Sequence, residues 1–173
     1  MSTSLHASSV PAFIAMLNNI KSWLDLAAAT GNEAALIEAR LADDMFPLAR
    51  QIQIAADAAK GAGARMTGTE APVMADDETT FAELKTRCDK TIAYLESLDA
   101  DAFDAGASRE VVITFPNGAG VKFDGHIFLT GFALPNFYFH ATTTYAILRA
   151  GGVAIGKQNF LGHLAPYMFA PPA

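Results

Sequence analysis

The chain has no Asp, Glu, Lys or Arg between Asp124 and Arg149, and this charge-free run constrains the fold more than any other feature. Within it, the segment LPNFYFH (residues 134–140) places Asn136 and His140 one helical turn apart on one face. A helix surrounded by apolar residues must be buried, and polar groups in a core need partners. The sequence therefore predicts a buried helix that carries a polar pocket at Asn136 and His140.

The same run is long enough to cross a bilayer, which takes about 20 apolar residues. Several Thr residues, Asn136 and His140 interrupt it, however, and polar side chains in lipid must themselves be sequestered. The other predicted helices are amphipathic and need an apolar element to cover them. We therefore expect a central buried helix and no membrane as a partner.

Composition predicts one domain over residues 1–173. Apolar residues make up 51% of the 173 residues and charged residues only 17%, which suits a well-filled core. The net charge of −6, with no cluster of Lys or Arg, argues against nucleic acid as a partner.

Cys88 is the only cysteine, so an internal disulfide is excluded and the cytoplasm is the expected compartment. No basic region precedes an apolar run at the N-terminus, and we expect no secretory signal.

Apolar spacings of three and four residues predict four helices. The first covers Ser9 to Thr30, with a cap at Ser8 or Ser9 and Pro11 in its first turn. The second begins near Pro47 with an inward stripe of small residues, and ends at Gly68.

The third helix opens with a capping box formed by Thr80 and Glu83. It follows an acidic loop, residues 76–78, which we expect to face water. The fourth runs from about His126 to Arg149, and Pro135 should kink it because proline cannot donate a backbone hydrogen bond.

Between the third and fourth helices the period changes to two, from Arg109 to Phe123, about a turn at residues 116–120. This pattern predicts a β-hairpin. The tail, about residues 151–173, has no periodicity and should lie along the bundle or reach a partner. The predicted fold is all-α: a four-helix bundle with a small β-hairpin inserted between helices 3 and 4.

His140 is suited to be a metal ligand or a general base, and alternatively to be a buried histidine bonded to a facing helix. The second helix carries a polar stripe that includes Gln53 and Asp57. Asp57 is placed either to approach His140, orienting it or sharing an ion with it, or to pair with Lys60 or Arg50 at the surface. His126 lies about 21 Å away along the same helix and cannot share an ion with His140.

Three segments, DMFPL at 44–48, DDETTFAEL at 76–84 and residues 133–149, resemble a bacterial family of unknown function in the DinB/YfiT-like superfamily. The resemblance covers nearly the whole chain and implies an up-down-down-up four-helix bundle, paired as a homodimer. Many superfamily members are regarded as metalloenzymes, some of them thiol-dependent transferases or hydrolases. They use one histidine on the second helix and two, spaced by four, on the fourth.

Carried over to this chain, the resemblance places His140 at the later histidine of the fourth helix and Asn136 at the earlier one. Asp57 or Gln53 is the nearest substitute on the second helix, so a zinc or nickel ion would be held by His140, Asn136 and Asp57. Amide and carboxylate oxygens bind such ions more weakly than imidazole does. Two functions stay open: a homodimer whose pocket binds a small molecule or an ion, and a divalent-metal-dependent transferase or hydrolase with a degenerate site.

Three consecutive aromatic residues, Phe137, Tyr138 and Phe139, point in successive directions around the fourth helix. One bundle core covers only part of a helix's circumference. At least one of the three rings should therefore meet either the tail around residues 167–169 or a second subunit.

Overall fold

The computed structural model describes residues 3–115 and 117–169, so Pro116 of the predicted turn and residues 170–173 of the predicted tail lie outside the described residues. The helices are α1 (Leu5–Ala28), α2 (Glu33–Glu38), α3 (Leu48–Thr67), α4 (Phe81–Glu96), α5 (Ala100–Ala105), α6 (Gly125–Ile127), α7 (Leu134–Ala150) and α8 (Lys157–Phe160). The strands are β1 (Glu110–Thr114) and β2 (Gly120–Asp124), and 3-10 turns cover Gly106–Ser108 and Gly162–Tyr167.

Four long helices enclose one apolar core. In order around the bundle they are α1, α4, α3 and α7, and α7 packs back against α1. Large side chains from each helix fill the interior, among them Phe13, Leu48, Leu84 and Phe137. The predicted four-helix bundle is confirmed, and none of the helices formed by the described residues is both long and apolar enough to cross a membrane.

The first helix begins one turn earlier than predicted. Ser4 is its cap, because the Ser4 side chain accepts a hydrogen bond from the backbone N–H of Ala7. The hydroxyls of Ser8 and Ser9 instead donate to backbone carbonyls one turn back, as serines within helices do. Pro11 consequently lies inside the helix, beyond its first turn.

The predicted limits of the second helix and the predicted start of the third are confirmed. The backbone of Gly68 ends α3 at a φ of 75°, in the left-handed region that favours glycine. Thr80 and Glu83 form the reciprocal capping box at the start of α4. These are local signals, and each depends on a few residues that are close in sequence.

The predicted kink at Pro135 takes the form of a wider turn. Residues Phe128–Ala133 are π-helical, and Pro135 stands in the first turn of α7 directly after them. Proline lacks an N–H and its ring clashes with the carbonyl four residues back. A π-turn at that point separates the two groups, so the helix continues instead of breaking.

The hairpin pairs β1 with β2 in the antiparallel register Val111 to Phe123 and Ile113 to Val121, which confirms the prediction. Phe123 packs against Phe128 and Phe132, so the hairpin lies on the π-helical segment. At Gly106 an added Cβ would stand 2.0 Å from the Met66 carbonyl oxygen, and this close contact holds the hairpin's entry against the end of α3.

The tail lies along α1. Trp23 is stacked on Phe160 with ring centroids 5.5 Å apart, and its Nε1 donates to the Asn159 carbonyl at 3.0 Å. Beyond this anchor, the apolar side chains of Tyr167, Met168 and Phe169 remain exposed.

We predict that Phe160→Ala lowers the free energy of unfolding by about 1–3 kcal/mol, because it removes the ring stacked on Trp23. Urea unfolding followed by the fluorescence of Trp23, the only tryptophan, measures the change. Phe169→Ala is the matched control, since Phe169 is 88% exposed in the same tail and its loss should leave stability unchanged. Equal stabilities for the two variants would contradict the anchoring role of Phe160.

Candidate functional site

His140 is buried, with 8% of its surface exposed, and its Nδ1 lies 2.7 Å from Oε1 of Gln51 on α3. The Gln51 amide is oriented from its other end, because Nε2 donates to the Phe46 carbonyl at 2.9 Å. The Gln51 oxygen must therefore face the imidazole, and His140 Nδ1 must carry the proton. The free lone pair of His140 is consequently on Nε2.

Burial lowers the pKa of His140, and the nearby charge of Arg50 lowers it further. The neutral imidazole is thus the form that the fold favours at neutral pH. A neutral ring with a fixed tautomer is a directional hydrogen-bonding group. The pair formed with Gln51 accounts for its burial without a ligand.

Gln51 is bound to His140, and Asn136 lies in different surroundings. It is half-buried and lines a cavity of about 200 Å³ together with Asp57 of α3. The walls of this cavity, which we call the amide cavity, are otherwise largely apolar: Ile54, Ala58, Ile113, Phe128, Phe132 and Ala133, with Arg65 at one side. The structure thus brings together Asn136 and Asp57, while His140 is directed to Gln51.

Asp57 and Gln53 also take part in a network of charged groups, which we call the Arg87 cluster. It consists of Arg50, Gln53, Asp57, Lys60, Asp76, Glu78 and Arg87. Arg87 Nη2 lies 2.7 Å from both Asp57 Oδ1 and Asp76 Oδ1, and Nη1 lies 2.9 Å from Glu78 Oε1. Gln53 accepts from Arg50 and donates to Glu78, each at 3.0 Å. Gln53 is therefore held by Arg50 and Glu78, while Asp57 is bound by Arg87 of α4 and also lines the amide cavity.

The acidic loop does not simply face water, contrary to the expectation from sequence. Asp76 pairs with Arg50 and Arg87, and Glu78 pairs with Arg87, while Asp77 between them is exposed. Lys60 adds a hydrogen bond from its ammonium to the Pro72 carbonyl at 2.9 Å. The α3–α4 connection, residues 69–79, is thus bound to the bundle by charge.

Arg87 is only 2% exposed, and a buried cation needs carboxylates around it. Burial lowers the pKa of Arg87, but the hydrogen bond to Glu78 and the charge of Asp57 outweigh it and the pKa is raised overall. Burial likewise raises the pKa of Asp76, and the hydrogen bonds from Arg50 and Arg87 more than reverse this, so that the pKa is lowered. Arg87 and Asp76 are therefore both held in their charged forms near neutral pH.

The residues present do not fit the zinc or nickel ion that the resemblance implies. His140 offers one nitrogen, Nε2, because its Nδ1 proton is bound to Gln51. Asp57 Oδ1 is already contacted by the cations Arg87 and Lys60, which would repel a divalent ion. Asn136 has an amide oxygen, a weak ligand for these metals. Among residues 3–115 and 117–169, no three His, Cys, Asp or Glu side chains are grouped to hold an ion.

Two important residues, Gln51 and Arg87, were missed by reasoning from the sequence. Gln51 stands four residues before Ala55 and eight before Ala59, so it lies on the buried small-residue stripe of α3. That position could have predicted that the Gln51 side chain faces the core. Arg87 adjoins Cys88 of the apolar stripe of α4, but its partners come from α3 and the α3–α4 connection. No local pattern predicts contacts of that kind.

Comparison with known proteins agrees with this fold. Residues 5–161 match the family described as "Domain of unknown function (DUF1993)". The crystal structure of a DinB family member protein from Shewanella denitrificans is similar, with a TM-score of 0.85 and 40% sequence identity over 96% of each chain. No protein with a curated description matches. The predicted DinB-like bundle is thereby confirmed.

We predict that Arg87→Ala lowers the free energy of unfolding by about 3–5 kcal/mol, because it leaves Asp57, Asp76 and Glu78 without their common cation. Urea unfolding at pH 7 measures the loss. Lys90→Ala is the control, since Lys90 is exposed one turn further along α4 and its removal should change stability by no more than about 0.5 kcal/mol. A stable Arg87→Ala variant would show that the cluster contributes little.

Proposed function

The chain belongs to the family described as a domain of unknown function (DUF1993), and for this member we propose a binding function in which the amide cavity holds a small, uncharged, partly apolar molecule. The observation that supports this is the pairing of two polar side chains, Asp57 and Asn136, with walls that are mostly apolar. Ligand sites commonly combine apolar walls with a few convergent polar groups.

The charges around the cavity indicate a neutral ligand. The carboxylate of Asp57 is offset by Arg87 and Lys60, so it presents an acceptor for a hydrogen bond more than a free negative charge. The amide of Asn136 both donates and accepts. A primary amide or hydroxyl group on a small aromatic or aliphatic body matches these partners. The volume of about 200 Å³ is below the range of drug-sized ligands, which restricts the ligand to a small one.

The backbone of the cavity is consistent with this function. The π-helical segment supplies three of the lining residues: Phe128, Phe132 and Ala133. Asn136 lies in the first turn of α7, next to Pro135. Single π-helical turns occur often at functional sites, because they redirect side chains from their usual helical positions. Here the wider turn precedes the one polar side chain that α7 contributes to the cavity.

A second candidate function, a divalent-metal-dependent transferase or hydrolase, is the one that the sequence resemblance implies. This chain's own donors favour the binding function, since His140 supplies a single imidazole nitrogen and Asp57 is paired with cations. Titration of the full chain with zinc chloride separates the two. The enzyme requires tight binding that His140→Ala abolishes, whereas we expect weak binding that His140→Ala barely changes.

We also propose that the protein is a homodimer in the cytoplasm. A reducing compartment suits the single thiol of Cys88, which is buried and has a pKa raised to about 12 by that burial. The observation that supports a dimer is an exposed apolar surface on α7. Phe137 is buried and Tyr138 half-buried, but Phe139 is 58% exposed beside Leu41, which is exposed too. Two-fold pairing would bury this apolar surface on both chains at once.

We predict that benzamide, a neutral aromatic amide, shifts the backbone NMR signals of residues around the amide cavity in a saturable way. Asn136→Ala should weaken its binding about tenfold, which corresponds to one hydrogen bond of about 1.4 kcal/mol. Asn18→Ala on the exposed side of α1 is the control and should bind as the unchanged chain does. Equal affinity for the Asn136→Ala variant, or shifts outside the cavity only, would refute the proposed site.

We predict that light scattering at micromolar concentration gives twice the 18.3 kDa mass of the chain, and that Phe139→Glu returns the mass to 18.3 kDa. A charge on this apolar face would have to be desolvated in the dimer. Phe115→Glu places the same charge on another exposed phenylalanine, in the hairpin, and should leave the dimer intact. A monomeric unchanged chain would contradict the proposal.

A further inference from the structure

A second cavity, of about 480 Å³, lies between the C-terminal end of α3 and β1. Its lining includes two arginines, Arg65 from the last turn of α3 and Arg109 directly before β1. Arg65 also borders the amide cavity, so the two cavities adjoin along α3. We call this second cavity the arginine cavity.

Each guanidinium of the arginine cavity lies against a glycine. Arg65 Nη1 donates to the Gly61 carbonyl at 3.1 Å, and a Cβ on Gly61 would stand 2.7 Å from that nitrogen. Arg109 Nη2 donates to the Thr67 carbonyl at 3.4 Å, and a Cβ on Gly68 would stand 2.7 Å from Nη1. The absence of side chains at residues 61 and 68 thus lets both guanidiniums rest on the backbone. Groups held in place before binding lose less conformational entropy when a ligand arrives.

In the part of the chain that the structure describes, neither guanidinium pairs with a carboxylate. Within residues 3–115 and 117–169, no ion pair involves Arg65 or Arg109. Glu110 also lines the arginine cavity, but its carboxylate pairs with Lys122 on β2 at 3.2 Å. Arg65 and Arg109 are both exposed residues, so water solvates their charges and a dissolved anion has access to them.

The dipole of α3 explains only part of this arrangement. A cation in the last turn of a helix is favoured by the partial negative charge there, and Arg65 meets that condition. Arg149 meets it equally in the last turn of α7, yet it lines neither of the two cavities. Gly68 is required by the helix end itself, and Arg65 also lies over the Phe128 ring, 5.8 Å from its centroid. The presence of both Arg65 and Arg109 in the lining of one cavity, however, is a feature that a helix end does not require.

We propose that the arginine cavity binds an oxyanion, the carboxylate or phosphate group of a small molecule, through the guanidiniums of Arg65 and Arg109. A guanidinium offers parallel N–H donors that match the oxygens of either group, and charged hydrogen bonds of this kind are about twice as strong as neutral ones. The site is separate from the hydrogen-bonding groups of the amide cavity, Asp57 and Asn136, and does not depend on the function proposed for them.

Titration calorimetry of the full chain at low ionic strength, with inorganic phosphate and with acetate as separate probes, tests this proposal. We expect one saturable site for at least one of the two anions. Arg65→Gln and Arg109→Gln should each weaken it at least tenfold. Arg149→Gln removes a cation from an equivalent helix end and should leave the affinity unchanged. Saturation by phosphate alone or by acetate alone identifies which group the site takes.

Two further variants show whether a loss of binding is caused by a loss of folding. Arg65→Lys and Arg109→Lys keep the charge but not the paired donors, and each should bind with an intermediate affinity while the melting temperature stays close to that of the unchanged chain. Asn136→Ala should bind the anion normally, which separates this site from the amide cavity. Absence of saturation with both anions, or an equal loss of affinity in Arg149→Gln, would overturn the proposal.

Discussion

The burial of Arg87 is the interaction on which much of the remaining structure depends. A guanidinium that is 2% exposed requires carboxylates within hydrogen-bond distance, and α4 supplies none that contacts it. The partners come instead from Asp57 on α3 and from Asp76 and Glu78 in the connection between α3 and α4. One buried cation therefore joins two helices to the segment between them. It also holds Asp76 at a φ of 58°, a conformation that residues with a side chain seldom adopt.

The ion pairs of Asp57 also limit what the interface between α3 and α7 can bind. The same carboxylate borders the amide cavity, where its charge is already balanced by Arg87 and Lys60. His140, which needs a partner because it is buried, forms its bond with Gln51 and not with a carboxylate. The polar groups of the α3–α7 interface are consequently neutral or neutralised. Such an interface is suited to hydrogen bonding with a neutral molecule and poorly suited to a divalent cation.

The sequence was sufficient for the parts of the fold that depend on local patterns. The limits of α3, the Thr80 to Glu83 capping box and the hairpin are each encoded within a few residues, and all were predicted correctly. The start of α1 was not, because several serines near the N-terminus are equally good caps and only the position of the first turn selects Ser4. The wider turn before Pro135 shows the same limit, since the sequence predicts an interruption but not its geometry.

The candidate site was harder to predict because its contacts join residues distant in sequence. The spacing of Asn136 and His140 predicted one face, yet His140 is bound to Gln51 of α3 while Asn136 lines the amide cavity. The contrast between the two ends of α3 shows why. Near its middle, acidic residues neutralise the cations. At its C-terminal end, glycines at 61 and 68 leave room for Arg65 and Arg109 to contact the backbone, and among the described residues neither pairs with a carboxylate. Charge is therefore balanced within the chain around Arg87, whereas Arg65 and Arg109 line the cavity for which we propose an external anion. Composition and net charge do not reveal this difference.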